Sequence, residues 1–198
     1  GFIGGGKEFY NGVIENSLMF EDAGDSYFFK TDHGTSTSTG IVTFSCWVKR
    51  GILTDDTTII FGSKSSTAGY LRFNADDGIY CNFFDTGYNG FEDAGVYRDP
   101  SAWYHICANA DINRSARGSG TTEVHEVWVN GRKLSSTNSS SLVPSGSTVK
   151  ILETGGEIFI GRQDNQSDHD FDGCMTDMYV IDGYALGPEN FGEYKEGV

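Results

Sequence analysis

Apolar and polar residues alternate in short runs along most of the chain. IVTFSCWVKR (41–50) puts Phe44, Cys46 and Val48 on one side and Thr43, Ser45 and Trp47 on the other. That period of two is the mark of a half-buried β-strand. SLMFED (17–22), SYFFKT (26–31), TTIIFGSK (57–64), YLRFNA (70–75), IYCNFFD (79–85), WYHICANADI (103–112), VHEVWVNGRKL (124–134), EIFIGRQ (157–163) and GCMTDMYVID (173–182) read the same way. Asp77-Gly78 and Asn130-Gly131 follow such runs and predict tight hairpin turns. About eleven strands result, with little helix beyond one turn at Pro188-Glu189. Strands that bury one face each need a partner layer. The expected architecture is therefore all-β, a two-sheet antiparallel sandwich. Phe44, Cys46, Val48, Ile106, Val127, Val129, Ile158, Ile160 and Val180 are the expected inward set. Trp47, Trp103 and Trp128 lie in the same runs and are also expected in the core.

Composition supports many strands joined by tight turns: the 198 residues include 27 Gly, 14 Phe and 10 Tyr but 3 Pro. Acids outnumber bases 28 to 14, a net charge of -14. Such a surface repels phosphates and anionic lipids, which argues against nucleic-acid partners and membrane insertion. No run approaches the ~18 apolar residues of a spanning helix. The chain begins GFIGGG, without Met, and reads as a processed product or a piece of something longer. Cys46, Cys81, Cys107 and Cys174 form no CxxC pair and stand apart from the histidines, so buried free thiols are expected.

The order ENSLMFEDAGDSYF, TFSCWVKRG, DPSAWYHICANAD, VWVNGRKL, IFIGRQ and FDGCMTDMYVIDGYAL resembles the laminin-G-like, concanavalin A-like jelly roll. More narrowly, it is similar to the version found in marine bacteriophage tail-fibre and virion surface proteins. The resemblance implies an N-terminal arm or linker over residues 1–15 and a jelly-roll domain over 16–198. It implies that the strand at 174–182 packs near the start of the domain, with Asp172-Gly173 and Asp182-Gly183 as turns at its ends. Asp177 then reads as a solvent-facing acid.

Hydrolysis of glycans in related glucanases uses an E-x-D-x-E strand, which holds two carboxyls on one face. ETGGE (153–157) breaks that spacing with two glycines, and EVHE (123–126) points its glutamates to opposite faces. Among the histidines (33, 105, 125, 169), His105 within WYHICA reads as a hydrogen-bonded structural residue. No G-x-S-x-G elbow is present. An enzyme is not expected. DNQSDHDFDG (164–173) crowds Asp164, Asp168, Asp170 and Asp172 onto one loop, a donor set suited to calcium, which laminin-G-like domains bind at a sheet rim. Asp55, Asp56, Asp76 and Asp77 are weaker candidates. DTGYNGFED (85–93) offers Tyr88, Asn89 and Phe91 as a sugar-binding loop. Phe2, Ile3, Phe9 and Tyr10 would dock the arm onto a neighbouring subunit.

The resemblance and the missing acid pattern imply a non-enzymatic virion structural or adhesive protein, such as a phage tail fibre, spike or capsid decoration. It would be assembled in the host cytoplasm and carried on the virion surface. Its expected partners are other virion proteins or copies of itself, with host glycans as ligands. The alternative is a secreted lectin or glycan-active enzyme.

Overall fold

A computed structural model describes residues 7–10, 14–24, 26–53, 58–64, 69–84, 90–116, 124–138, 143, 147–163 and 169–196. Fourteen short strands form among them. One six-stranded sheet runs β11 (Arg132–Lys133), β10 (His125–Val129), β9 (Tyr104–Asp111), β4 (Ile41–Arg50), β13 (Gly173–Asp182) and β2 (Leu18–Phe20). The other runs β3 (Phe28–Lys30), β12 (Ile158–Ile160), β5 (Thr58–Ser63), β6 (Tyr70–Phe73), β7 (Ile79–Asn82) and β8 (Phe91–Glu92). Their pairings are antiparallel. Helix among the described residues is confined to three 3-10 turns, at 22–24, 112–116 and 188–190.

The core lies between the sheets, and Phe44 of β4 stacks on Phe61 of β5 with ring centroids 4.5 Å apart. Cys46, Val48, Ile106, Val127 and Val129 join it fully buried, while Ile158, Ile160 and Val180 pack against its margin. The four cysteines are free thiols. Trp103 and Trp128 are only half-buried, which corrects their placing in the core. Trp128 faces outward beneath the Lys133 ammonium.

Both hairpins form at the turns read from sequence. Asn130 and Gly131 both take positive φ (48° and 74°) as the two-residue turn between β10 and β11. Glycine is favoured there because the left-handed region strains any residue with a Cβ. Between β6 and β7 the loop has five residues (74–78), and Asp77, not Gly78, holds the left-handed position (φ 65°). The 173–182 run becomes β13, pairing with β2 on one side and β4 on the other. A bulge between Thr176 and Tyr179 holds Asp177 exposed at φ 49°.

The outward side of β4 differs from a half-buried strand. Thr43, Ser45 and Trp47 are buried, like the inward residues. The chain's own ends cover them. The Thr43 hydroxyl donates to the Tyr184 carbonyl (2.6 Å) and accepts from the Leu186 amide (2.9 Å). β1 (Lys7–Tyr10) pairs with β14 (Glu193–Glu196) in a two-stranded ribbon. Phe9 of that ribbon stacks on His105, centroids 4.5 Å apart, and lies 6.2 Å from Trp47. Phe9, expected to reach a neighbouring subunit, is 7% exposed and spent within its own chain. Burial of one aromatic ring is what holds so short a ribbon in place.

Candidate functional site

Alternation along β6 and β7 sorts their side chains. Leu71, Phe73, Ile79 and Cys81 turn to the core; Tyr70, Arg72, Tyr80 and Asn82 therefore turn outward. The five-residue turn sets the register, so Tyr70 stands opposite Asn82 and Arg72 opposite Tyr80. β8 adds Glu92 beside Tyr80. Tyr70, Arg72, Tyr80 and Glu92 are half-buried, so this part of the second sheet's outer face reaches solvent.

The rings of Tyr70 and Tyr80 stack with centroids 5.5 Å apart and planes inclined 29°. The Arg72 guanidinium lies 4.8 Å from each ring centroid. Its Nε donates to Asn74 Oδ1 (2.9 Å), and Asn74 Nδ2 donates to Glu92 Oε1 (3.1 Å). The Tyr80 hydroxyl accepts the Gly90 amide (3.1 Å), and burial pushes its pKa up. The phenol therefore stays protonated. This is a half-exposed pair of stacked aromatic rings with a cation held against them and an amide beside it. Such a surface is suited to stacking a sugar ring and hydrogen-bonding its hydroxyls.

Two cavities of about 270 and 340 Å³ flank residues 133–135 and reach Phe91 and Asp93 on either side of Glu92. His125 lines the first, but its Nε2 accepts the Phe83 amide (3.0 Å), and burial holds its pKa down at about 3. It cannot serve as a base there. Asp93 lines the second with both carboxylate oxygens used, by the amides of Ile79 and Gly95 and the Tyr97 hydroxyl. Ser45 Oγ and His105 Nε2 approach to 2.9 Å, the spacing of a nucleophile and its base. Both are sealed beneath Phe9 and Trp47, and burial drops the His105 pKa to about 4. The pair is structural, as the sequence led one to expect of His105.

Asp164 and Asp168 lie outside the described residues. Asp170 is buried in a two-pronged ion pair with Arg162 (2.7 and 2.5 Å). Its role as a calcium ligand is corrected: an arginine already neutralises the carboxylate, and Tyr27 backs that guanidinium at 4.4 Å. Asp172 is half-buried, and its backbone oxygen accepts the Gly51 amide. Among the described residues no three metal-capable side chains come together. What is described does not fit a calcium site.

Tyr88 and Asn89 also lie outside the described residues, as do Phe2 and Ile3. Phe91 is 6% exposed and belongs to the core, which corrects its reading as a sugar platform. In β8 it alternates with Glu92, and the inward place is the apolar one. The backbone of Tyr10 pairs with Glu193. The Tyr70–Arg72–Tyr80 group, unlike the loop residues expected to bind sugar, lies on two strands. The signal was present: YLRF and IYCN, joined across the five residues NADDG, place the two tyrosines and the arginine on one face.

Comparisons with known proteins add the family. Residues 22–190 match the family model described as the concanavalin A-like lectin/glucanases superfamily. No curated protein matches the chain. Among solved structures, it is similar to domain 4 of AbnA, an extracellular GH43 arabinanase from Geobacillus stearothermophilus, solved with arabinotriose. That match has 19% identity and a TM-score of 0.62, over 95% of this chain and 80% of that one. It is similar also to the heptameric SAP-like pentraxin of Limulus polyphemus (14%, TM-score 0.57, 93% and 79%). The Ruminococcus gnavus IT-sialidase CBM40 is a third (11%, TM-score 0.56, 89% and 95%).

Proposed function

Because the chain belongs to the concanavalin A-like lectin/glucanase superfamily, we propose that it is a non-catalytic glycan-binding protein, and that the Tyr70–Arg72–Tyr80 face is where sugar rests. The observation that carries this is the stacked, half-exposed tyrosine pair on the outer face of the second sheet. The matching face of the first sheet is occupied by the chain's own ends around Phe9 and Leu186. The arabinotriose solved with the similar arabinanase domain is in keeping with this use of the fold.

Hydrolysis needs two carboxyls flanking the scissile bond. Glu92, in register with Tyr80, already accepts from Asn74. Its role here is to hold the amide that orients Arg72. Binding without turnover is the expected behaviour.

The setting implied by the motifs of the sequence is a virion surface, where such a domain would attach particles to host glycans. Neighbouring virion proteins or further copies of the chain would hold it there. Two measurements separate site from setting. On a glycan array the wild type binds, and Tyr70→Ala with Tyr80→Ala abolishes the signal while thermal unfolding stays cooperative. Undiminished binding by that double variant would move the site elsewhere. Quantitative mass spectrometry of purified particles should find the chain at fixed copy number; its absence would remove the virion setting and leave the sugar site standing.

A further inference from the structure

Resting on the reading that this face holds sugar, we infer that the ligand is an acidic sugar, and that Arg72 takes its carboxylate. Arg72 differs from the four arginines that sit in ion pairs, and unlike Arg132, which is exposed, it is held against two aromatic rings. Arg50 and Arg98 pair with Asp77, Arg114 with Glu126, and Arg162 with Asp170. Arg72 has no carboxylate partner among the described residues, in a chain whose acids outnumber its bases 28 to 14. Among the described residues its hydrogen bond uses Nε, toward a neutral amide.

Among the described residues the two terminal nitrogens take no carboxylate. Two ring faces support the plane of the guanidinium, each 4.8 Å away, and Asn74 pins its near end. A guanidinium fixed in this way presents a fork of parallel N–H donors, the geometry that accepts a planar carboxylate with two bonds. The cost of ordering a long side chain is already met by the rings. Asn74 stands between Arg72 and Glu92 and accepts from one while donating to the other. It orients Arg72 without neutralising it by direct contact. A pyranose stacked against Tyr70 and Tyr80 carries its ring substituents outward at about the same level. A uronate or sialate carboxylate at that border meets the fork, and a neutral hydroxymethyl does not.

The whole-molecule charge makes this testable. At -14, the protein's field opposes any polyanion. General electrostatics therefore favours the neutral form of a given glycan. A preference for the acidic form must come from a local cation.

The experiment is titration calorimetry of the full chain with oligosaccharides offered in pairs: oligogalacturonate, oligomannuronate and sialyllactose, each against its carboxyl-reduced form, and sulfated galactan oligosaccharides as a further arm. At least one acidic member should bind tenfold or more tighter than its reduced form. Arg72→Gln should erase that difference, the acidic member falling to the affinity of its reduced form. Arg72→Lys should restore only part of it, because an ammonium is a point charge without a fork. Tyr80→Ala should weaken both members of the pair. Equal affinity for acidic and reduced forms, or binding of the sulfated sugar alone, would overturn the acidic-sugar inference and leave glycan binding intact. No binding to any member would overturn glycan binding at this face as well.

Discussion

His105 and His125 show how burial sets chemistry one residue at a time. Each imidazole is nearly inaccessible, with pKa values pushed down to about 4 and about 3 by loss of solvation. An unfolded chain would protonate them near 6.5. The folded state thus binds fewer protons, and the stability held above the unfolded pKa is lost as pH falls toward the folded one. Between pH 7 and pH 5 each should remove about 2 kcal/mol of unfolding free energy. Urea titration of the wild type and of His105→Gln at both pH values checks the share assigned to His105. The variant should be less stable at pH 7 but lose about 2 kcal/mol less on acidification. An identical loss would place the acid sensitivity elsewhere. Asp77 adds nothing in that window. Burial alone would raise its pKa, but hydrogen bonds from Arg98 and Arg50 outweigh that and hold it below the usual carboxylate range.

At the scale of elements, β1 and β14 depend on packing rather than pairing. Four residues against four make a ribbon too small to persist alone. Phe9 anchors it over His105, and the Tyr194 hydroxyl donates to the Gly131 carbonyl in the hairpin below. Phe9→Ala should therefore release the ribbon while the two sheets stay folded. Hydrogen exchange would show this as lost protection confined to residues 7–10 and 193–196, with β4 and β9 still protected. Exchange spreading evenly through both sheets would mean that the ribbon is part of one cooperative unit. The strands themselves were legible from alternation, as were both hairpins. The ribbon was not, because EFY and EYKE carry no pattern that reveals their partner 180 or so residues away. The outward row of β6 and β7 lay between these cases. Its residues alternate visibly, but their alignment depends on a turn in which Asp77, not Gly78, takes the left-handed place.

At the scale of the whole molecule, Arg50 and Asp77 tie the sheets together. Arg50 ends β4 in one sheet, and Asp77 sits in the β6–β7 turn of the other; they meet at 2.6 Å, 1% exposed each. The guanidinium also lies 4.5 Å over Phe73 and donates to the Tyr97 carbonyl. Asp77→Asn keeps the shape but leaves buried Arg50 without a counter-charge. It should cost about 3–5 kcal/mol of unfolding free energy. Asp76→Asn, at the exposed neighbour, should cost under about 0.5 kcal/mol. Chemical denaturation of both variants decides the point, and equal losses would show that the ion pair is not what joins the sheets. Sequence alone determined the all-β class, the sandwich, the inward set on β4, β9 and β10 and the free thiols, because period-two burial is a local property of each strand. Tertiary structure decided which acids act as ions and which faces stay open. Asp170 read as a metal ligand until folding placed Arg162 against it. Thr43 and Ser45 read as surface until the chain ends covered them. Phe9 read as an intermolecular anchor until His105 received it. In each case a polar or apolar residue declares what it needs, but only the folded chain brings the partner that satisfies it, and the residues left unsatisfied, Arg72 first among them, are where function is sought.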